Sequence, residues 1–273
     1  MIDLGEIGRL KNKLIYDKPL IHGITHPIGI NQCANIILAS GAKAIMAQHP
    51  EEVAEITRSS KALYLSLGNI DPSRVEAMKI SLQTANEVKI PILLDMVGVG
   101  VSKLRYDFAK DLLEKSKVSL VKGNMSEIKT MLGPGAKALG VDVGEEDRID
   151  RNIKEAINLV KELAQKYKAT VFATGAIDIV SDGTHTFLCY NGHESMADIT
   201  ATGCMLAALT TALMSETSPF YAAAYSSILM GVLGEEAFEK GHIYYDLYKF
   251  ILDGIYYLDE ELIREKARFE ADI

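Results

Sequence analysis

Short apolar runs alternate with longer amphipathic segments along most of this chain, and this alternation constrains the fold most strongly. Residues 62–67 and 90–94 have the length and apolar character of buried strands. Between them, residues 72–88 carry apolar side chains at helical spacing. Because parallel strands need crossover helices, this rhythm predicts an α/β fold with a mostly parallel sheet and helices on both faces.

The same rhythm continues towards the C-terminus. Asp182-Gly183 between two short alternating runs, 177–180 and 186–189, indicates a β-hairpin. No linker or low-complexity stretch interrupts the pattern, so we predict a single domain over residues 1–273. The other predicted elements are helices over 106–113, 153–167, 203–214 and 219–239 and strands over 118–121 and 170–173.

Composition excludes several classes of protein. The net charge of −8, without a basic stripe, disfavours a nucleic-acid partner. No apolar run reaches the length of a membrane span. Cys33, Cys189 and Cys204 are too widely spaced for a structural zinc site or a disulfide framework. With an acidic N-terminus that lacks a signal-peptide pattern, the chain is expected in the reducing cytoplasm.

Polar and glycine residues gather where the predicted strands end. In an open α/β sheet, ligands bind in the crevice at the carboxyl ends of the strands. These residues are therefore expected to line one site. They are Gly68-Asn69, Asp95, Lys122-Gly123-Asn124 and Thr174-Gly175.

Residues 198–204 form the most informative segment for function. Small and hydroxyl-bearing residues end at Cys204, where a long apolar helical run begins. A helix start presents free N–H groups that bind phosphate, and its field is expected to lower the pKa of the Cys204 thiol. An ordinary loop before a core helix with a buried cysteine explains this segment about equally well.

Asn124 and Glu127 have the spacing of a capping box at the start of a helix. Familiar catalytic motifs are missing from the sequence. There is no Walker A sequence, no Gly-x-Gly-x-x-Gly after the first strand, no His-Glu-x-x-His and no Gly-x-Ser-x-Gly. The six histidines show no metal-ligand spacing, and the acidic run 144–147 is expected to be a solvated loop.

A set of short motifs resembles hydroxyethylthiazole kinase, a thiamine-pathway member of the ribokinase-like superfamily. The resemblance extends from about His22 to about Leu213, and the motifs are specific as a set although each is weak alone. They are Pro19-Leu-Ile-His-Gly-Ile-Thr25, Asn31-Gln-Cys-Ala-Asn35, Met46-Ala-Gln-His-Pro-Glu-Glu52, Leu94-Asp-Met-Val-Gly-Val-Gly100, Gly123-Asn-Met-Ser-Glu127, Ala173-Thr-Gly175 and Thr202-Gly-Cys204.

This resemblance implies a ribokinase-like three-layer sandwich. It also implies ATP- and Mg²⁺-dependent phosphorylation of 4-methyl-5-(2-hydroxyethyl)thiazole by a homotrimer with active sites at subunit boundaries. Cys204 would act as base or hydroxyl-orienting group, beside an anion hole formed by the amides of Ala201, Thr202 and Gly203.

The resemblance assigns the remaining site residues to nucleotide, metal and thiazole. Each assignment competes with a local structural role, such as a helix cap for Asn124 or a core methionine for Met46. Lys122, Thr174 and Asn124 would contact ATP and its phosphates, Glu127 and Asp95 would support Mg²⁺, and Met46, Asn35 and Ala201 would contact the thiazole.

Five positions depart from the family pattern. Ala201 replaces a glycine, and alanine would be strained there if the position requires positive φ. Lys122 stands where arginine is usual, which keeps the charge but loses the planar fork. His26 replaces asparagine, Met96 replaces the proline after Asp95, and Asp198 takes a position that is often basic.

Two alternatives stay open from the sequence. The first keeps the fold but changes the chemistry, to a kinase of hydroxymethylpyrimidine or another small alcohol or to an ATP-dependent hydrate dehydratase. The second is a non-catalytic protein that binds thiazole or nucleotide. ATP turnover with a panel of alcohols distinguishes these possibilities.

Overall fold

Nine strands form one sheet in the computed structural model, which describes residues 2–133 and 153–271. The acidic run 144–147 lies outside the described residues. The strands are β1 Leu20–Ile24, β2 Lys43–Ile45, β3 Ala62–Ser66, β4 Ile92–Asp95, β5 Leu120–Asn124, β6 Thr170–Thr174, β7 Asp178–Ser181, β8 Thr186–Cys189 and β9 Phe269–Ala271.

Helices cover both faces of this sheet. Those described are α1 Gly5–Asp17, α2 Ile30–Ser40, α3 Val53–Arg58, α4 Pro72–Val88, α5 Lys103–Lys115, α6 Met125–Leu132, α7 Ile153–Tyr167, α8 Thr202–Met214, α9 Pro219–Glu239, α10 Tyr245–Tyr257 and α11 Glu260–Lys266. Within the described ranges, no helix combines the length and the hydropathy that a membrane crossing requires.

The strand order is β2-β1-β3-β4-β5-β6-β7-β8-β9. Pairing is parallel from β2 through β6 and antiparallel from β6 to β9. The predicted mostly parallel three-layer architecture is therefore confirmed. The antiparallel pairing of β7 with β8 follows from the Asp182-Gly183 turn between them, because a tight turn can connect only antiparallel strands.

Two hydrophobic cores lie on opposite faces of the sheet. Alternation along each strand separates them: Tyr64 and Leu93 point to one face, whereas Leu65 and Leu94 point to the other. Helices α2, α8, α9 and α10 pack on the Tyr64 face, and α4, α5, α6 and α7 pack on the opposite face. The site residues described below alternate along their strands with Leu65 and Leu94. They therefore point to the Tyr64 face, on which α8 packs.

Local signals explain where the predicted elements begin. Helix α4 spans the predicted residues because Asp71 accepts a hydrogen bond from the Arg74 amide and Pro72 occupies the first turn. Helix α5 begins earlier than predicted because Ser102 caps it. Strand β4 begins only at Ile92, after Pro91, which has no N–H to donate to a neighbouring strand.

Candidate active site

Strand register aligns the predicted site residues at one edge of the sheet. Ser66 pairs with Asp95 and Asp95 pairs with Lys122, so these three form a row across β3, β4 and β5. Two residues further along, Asn124 pairs with Thr174. The structure thus brings together four of the polar residues that the strand-end pattern pointed to.

Asp95 and Lys122 form a buried ion pair. Lys122 Nζ donates to Asp95 Oδ1 at 3.4 Å, and the Tyr64 hydroxyl donates to Asp95 Oδ2 at 3.4 Å. Both charged side chains are almost fully buried. Burial raises the pKa of Asp95, although the ammonium opposes this. Burial is the largest single effect on Lys122 and works against its charge, but the neighbouring acidic groups, with Asp95 first among them, together outweigh it and the pKa of Lys122 rises, so the ammonium persists at neutral pH.

The start of α8 faces this ammonium. A Cβ built on Gly203 would lie 3.6 Å from Lys122 Nζ, so the glycine backbone approaches the charge closely. The helix has no side-chain cap. Thr202 N donates to the Ile199 carbonyl over a long 3.5 Å, while the amides of Gly203 and Cys204 have no acceptor among the described residues. Free amides and a buried cation together form an anion site.

Cys204 lies in the first turn of α8 and is only 6% exposed. Burial, followed by the charge of Asp95, raises the pKa of its thiol to about 12. The expectation that the helix start lowers this pKa is therefore wrong. Removal from water disfavours the thiolate more strongly than the helix field favours it. At neutral pH the side chain is a thiol.

His26 contacts this thiol, with Nε2 3.3 Å from Cys204 Sγ. Sequence reasoning identified His26 only as a departure from the family pattern. Its ring lies against the backbone of Gly29 and Gly68, where added Cβ atoms would come within 3.0 and 2.5 Å of it. No motif indicates a contact between residues so far apart in the sequence.

Asn124 and Glu127 form the predicted capping box of α6, which is confirmed. Asn124 Oδ1 accepts from the Glu127 amide at 2.9 Å, and Glu127 Oε2 accepts from the Asn124 amide at 2.8 Å. Glu127 Oε1 also accepts from the Gly98 amide at 2.7 Å. Burial raises the pKa of Glu127 although this amide opposes the rise. The cap fixes the carboxylate at the strand edge.

Met46 and Asn35 occupy separate surroundings. Met46 lies over Gly23, where a Cβ would come 2.8 Å from its terminal methyl group. Asn35 on α2 donates from its side-chain amide to Asn31 at 3.0 Å and to the Tyr248 hydroxyl at 3.2 Å. Helix α10, part of the tyrosine-rich C-terminal segment, therefore packs on its own chain beside Asn35.

Ala201 adopts the left-handed conformation, with φ of 73°. This confirms the strain expected where the family carries glycine, since a Cβ disfavours positive φ. We expect Ala201→Gly to raise the free energy of unfolding by roughly 0.5–1 kcal/mol in urea titrations. Ala207→Gly, within regular α8, is the matched control and is expected to lower it by at least about 1 kcal/mol. A loss of stability in both variants would contradict strain at Ala201.

Asp178 supports the Thr174-Gly175 turn. Its carboxylate accepts from the Gly175 amide at 3.1 Å and from the Ser227 hydroxyl at 2.7 Å. Burial raises the pKa of Asp178 to about 6. The sequence analysis did not identify Asp178 as a site residue. It is the first residue of β7, the strand that follows Thr174.

The Asp178 carboxyl predicts a pH-dependent stability effect. The pKa of Asp178 in the folded state lies above its ordinary value, so ionisation of this carboxyl destabilises the folded protein. The destabilisation is complete above about pH 6 and absent below about pH 4. We expect Asp178→Asn to raise the free energy of unfolding at pH 8 by roughly 1–3 kcal/mol more than at pH 4. Asp107→Asn is the control, because Asp107 lies on an exposed surface where solvent screens its charge and its replacement changes stability little. Equal effects at both pH values would contradict this account.

The sequence of this chain is similar to those of known kinases. A sequence model described as the hydroxyethylthiazole kinase family matches residues 11–261. The chain belongs to the hydroxyethylthiazole kinase family. It is 42% identical over 264 residues to hydroxyethylthiazole kinase 2 of Clostridium botulinum (strain Langeland), covering 96% of this chain and 99% of that protein.

A solved structure of a similar protein agrees with this family assignment. The structure of hydroxyethylthiazole kinase protein from Pyrococcus horikoshii OT3 is 33% identical, with a TM-score of 0.88 over 98% of this chain and 99% of that one. A pyridoxal kinase from Bacillus subtilis, solved as an ADP complex, is 15% identical with a TM-score of 0.62 over 80% of this chain and 92% of that chain. The second likeness concerns the ribokinase-like fold alone.

Within this hydroxyethylthiazole kinase family member, further residues support the site without appearing in any motif. Tyr64 donates to Asp95, and Arg74 donates to the carbonyls of Thr25 at 3.0 Å and Gly68 at 3.1 Å. Arg74 thus holds two loops around His26. Tyr64 and Ser66 were not predicted as site residues, although their alternation in an otherwise apolar strand, on the same face as Asp95, is a sequence signal that could have identified them.

Proposed function

We propose that this chain transfers the γ-phosphoryl group of ATP to the hydroxyl of 4-methyl-5-(2-hydroxyethyl)thiazole. One observation carries the proposal: the uncapped start of α8 places free amides, the buried Lys122 ammonium and the Cys204 thiol together at the carboxyl edge of the sheet. Such a site stabilises the charge that develops on a transferring phosphoryl group. Membership of the hydroxyethylthiazole kinase family supports the choice of acceptor.

The nucleotide side of the site is assigned to β5 and β6. Lys122 binds a phosphate as a point charge, in place of the arginine that is usual in the family. Thr174 and Asn124, paired across these strands, lie where the phosphates and the remainder of ATP approach the sheet edge. Asp178 supports this assignment because it holds the Gly175 amide and so fixes the turn after Thr174.

The residues near the phosphate site fit a hydrated Mg²⁺ ion. In the described part of the chain, no three His, Cys, Asp or Glu side chains cluster as a protein-only metal cage. Mg²⁺ usually keeps several waters and takes one or two carboxylates together with substrate phosphates. Glu127 and Asp95 supply those carboxylates, each with acceptor capacity beyond its present hydrogen bonds. When bound, Mg²⁺ neutralises phosphate charge.

The acceptor side is assigned to Met46, Ala201 and Asn35. The Met46 thioether, which reaches over Gly23, suits a flat aromatic heterocycle. Ala201 lies at the turn before α8, next to the thiol. Asn35 is held by Tyr248, and it shapes the α2 side of the pocket rather than contacting Cys204.

In the transfer step, the acceptor hydroxyl lies against Cys204 and in line with the γ-phosphate. A new O–P bond forms as the bond to the β–γ bridging oxygen breaks, ADP leaves with that electron pair, and the hydroxyl proton departs on the side of Cys204. The free amides of α8 and Lys122 hold the equatorial oxygens of the phosphoryl group.

We further propose a homotrimer in the cytoplasm, with active sites at subunit boundaries. Support comes from the exposed apolar side chains of Ile28, directly after the His26 loop, and Leu38 on α2. Light scattering of the purified protein tests the assembly, and the mass of a single chain would contradict it.

Measurement of ADP formation tests the proposed activity. The assay contains ATP and Mg²⁺ with the thiazole alcohol, with hydroxymethylpyrimidine, or with no acceptor. We expect turnover to depend on the thiazole alcohol and the product to be its phosphate. Equal ADP formation without acceptor, or preference for the pyrimidine, would contradict the proposal, and binding without product would support a non-catalytic protein.

A further inference from the structure

The contact between His26 and Cys204 joins two side chains that the proposed transfer step does not yet connect. His26 Nε2 lies 3.3 Å from Cys204 Sγ, which is within hydrogen-bond reach for sulfur. The histidine is 7% exposed and the cysteine 6%. A hydrogen bond this deeply buried is strong electrostatically because water does not compete for it.

The surroundings hold His26 in one place. The ring is enclosed by Gly29 and Gly68, either of which would clash with it if it carried a Cβ. Arg74 fixes the loop before it through the Thr25 carbonyl and the loop beside it through the Gly68 carbonyl. His26 Nδ1 has no hydrogen-bond partner in the described part of the chain. The histidine is therefore oriented towards the thiol by packing.

Burial, assisted by two nearby arginines, favours the neutral form of the His26 ring. Arg74 on α4 and Arg105 on α5 face it, as does Asp95 at the end of β4. Burial lowers the pKa of His26, Arg74 and Arg105 lower it further, and Asp95 opposes them. A neutral imidazole has one ring nitrogen free to accept a proton.

We propose that His26 accepts the thiol proton of Cys204 while the Cys204 sulfur accepts the hydroxyl proton of the substrate. This inference rests on the proposed phosphoryl transfer. A thiol that stays protonated at neutral pH is a poor base alone, since its sulfur must lose one proton to hold another. An adjacent imidazole removes this obstacle. His26 acts through Cys204 and is a positioning residue for the proton.

The step balances without an added reactant. The substrate O–H bond breaks as a new S–H bond forms, and the original S–H bond breaks as an N–H bond forms at Nε2. The oxygen attacks the γ-phosphorus, and ADP takes the electron pair of the broken bond. The proton on His26 passes to water before the next turnover, and no group is oxidised or reduced.

A double-mutant cycle tests the proposal against a purely structural role. The variants are His26→Asn, Cys204→Asp and their combination. With Cys204 present, we expect His26→Asn to lower kcat at least roughly tenfold with a smaller change in KM. In the Cys204→Asp background we expect the same substitution to change kcat less than about threefold, because a carboxylate accepts the hydroxyl proton directly.

The two possible roles give different results. If His26 only packs the loops, its replacement lowers kcat by the same factor in both backgrounds, which would overturn the proposal. An unchanged kcat in His26→Asn would also overturn it. His26→Gln keeps much of the size and a hydrogen-bond acceptor but cannot carry the proton, so it is expected to lose activity while folding normally by circular dichroism.

The pH profile gives a second readout. We expect kcat of the wild type to fall towards acid, with a midpoint below the ordinary histidine value because the pKa of His26 is lowered. This limb is expected to disappear in His26→Gln, and its persistence there would contradict the assignment. Absence of any wild-type turnover would instead contradict the proposed function, so the two failures are distinguishable.

Discussion

Replacing Lys122 with methionine is expected to lower kcat for phosphoryl transfer by roughly a hundredfold or more and to lower the free energy of unfolding by about 3–5 kcal/mol. The side chain is buried against Asp95, so its removal leaves an uncompensated carboxylate in the interior. Its ammonium also faces the Gly203 backbone, where the proposed transfer step would develop charge. Loss of one such donor lowers kcat by roughly a hundredfold or more. Urea titration and ADP formation measure the two effects separately.

Two companion variants distinguish charge from folding. Lys122→Met combined with Asp95→Asn removes both members of the pair, and is expected to recover much of the stability while staying inactive. Lys122→Arg keeps the positive charge and restores the residue that is usual in the family, so it is expected to retain activity within roughly tenfold. If the double variant stays as unstable as the single one, the buried pair does not explain the loss. Full activity in Lys122→Met would contradict its role in the anion site.

Most of the fold follows from local sequence signals. The helical patterns over residues 72–88 and 153–167 predict α4 and α7 over their observed ranges. The Asp182-Gly183 turn predicts the antiparallel hairpin. Strand ends predict the site because parallel strands share an edge, and the pairing of Asp95 with Lys122 follows that rule. Sheet order and the final strand β9 depend on tertiary packing, which local patterns do not contain.

The chemistry of the thiol depends on features that sequence does not reveal. A helix start alone predicts a lowered pKa for Cys204, but the apolar surroundings and Asp95 raise it instead. The Cys204 thiol is removed from water by the side chains that pack against it. One of them, His26, is 178 positions away in the sequence. The same limit explains why His26, Tyr64 and Asp178 were missed as site residues. Their partners lie on other elements and are brought together only by folding.

Replacing Cys204 with alanine is expected to lower kcat at least roughly tenfold, because the acceptor hydroxyl loses the group that orients it and takes its proton. Stability is expected to change little, since alanine fits the same turn of α8. Cys189→Ala is the matched control. That cysteine is also buried, and burial also raises the pKa of its thiol to about 12, but it lies on β8 opposite Asp178 rather than at the start of α8. We expect the control to retain the wild-type kcat.

Cys204→Asp gives the sharper result, because an aspartate carboxylate is a stronger base than a protonated thiol. We expect this variant to retain or exceed the wild-type kcat, with the Lys122 ammonium nearby to favour the ionised carboxylate. Steady-state measurements of kcat and KM for the thiazole alcohol test both variants. Full activity in Cys204→Ala would remove the thiol from the mechanism. A folded but inactive Cys204→Asp would show that sulfur contributes something a carboxylate cannot replace, such as its contact with His26.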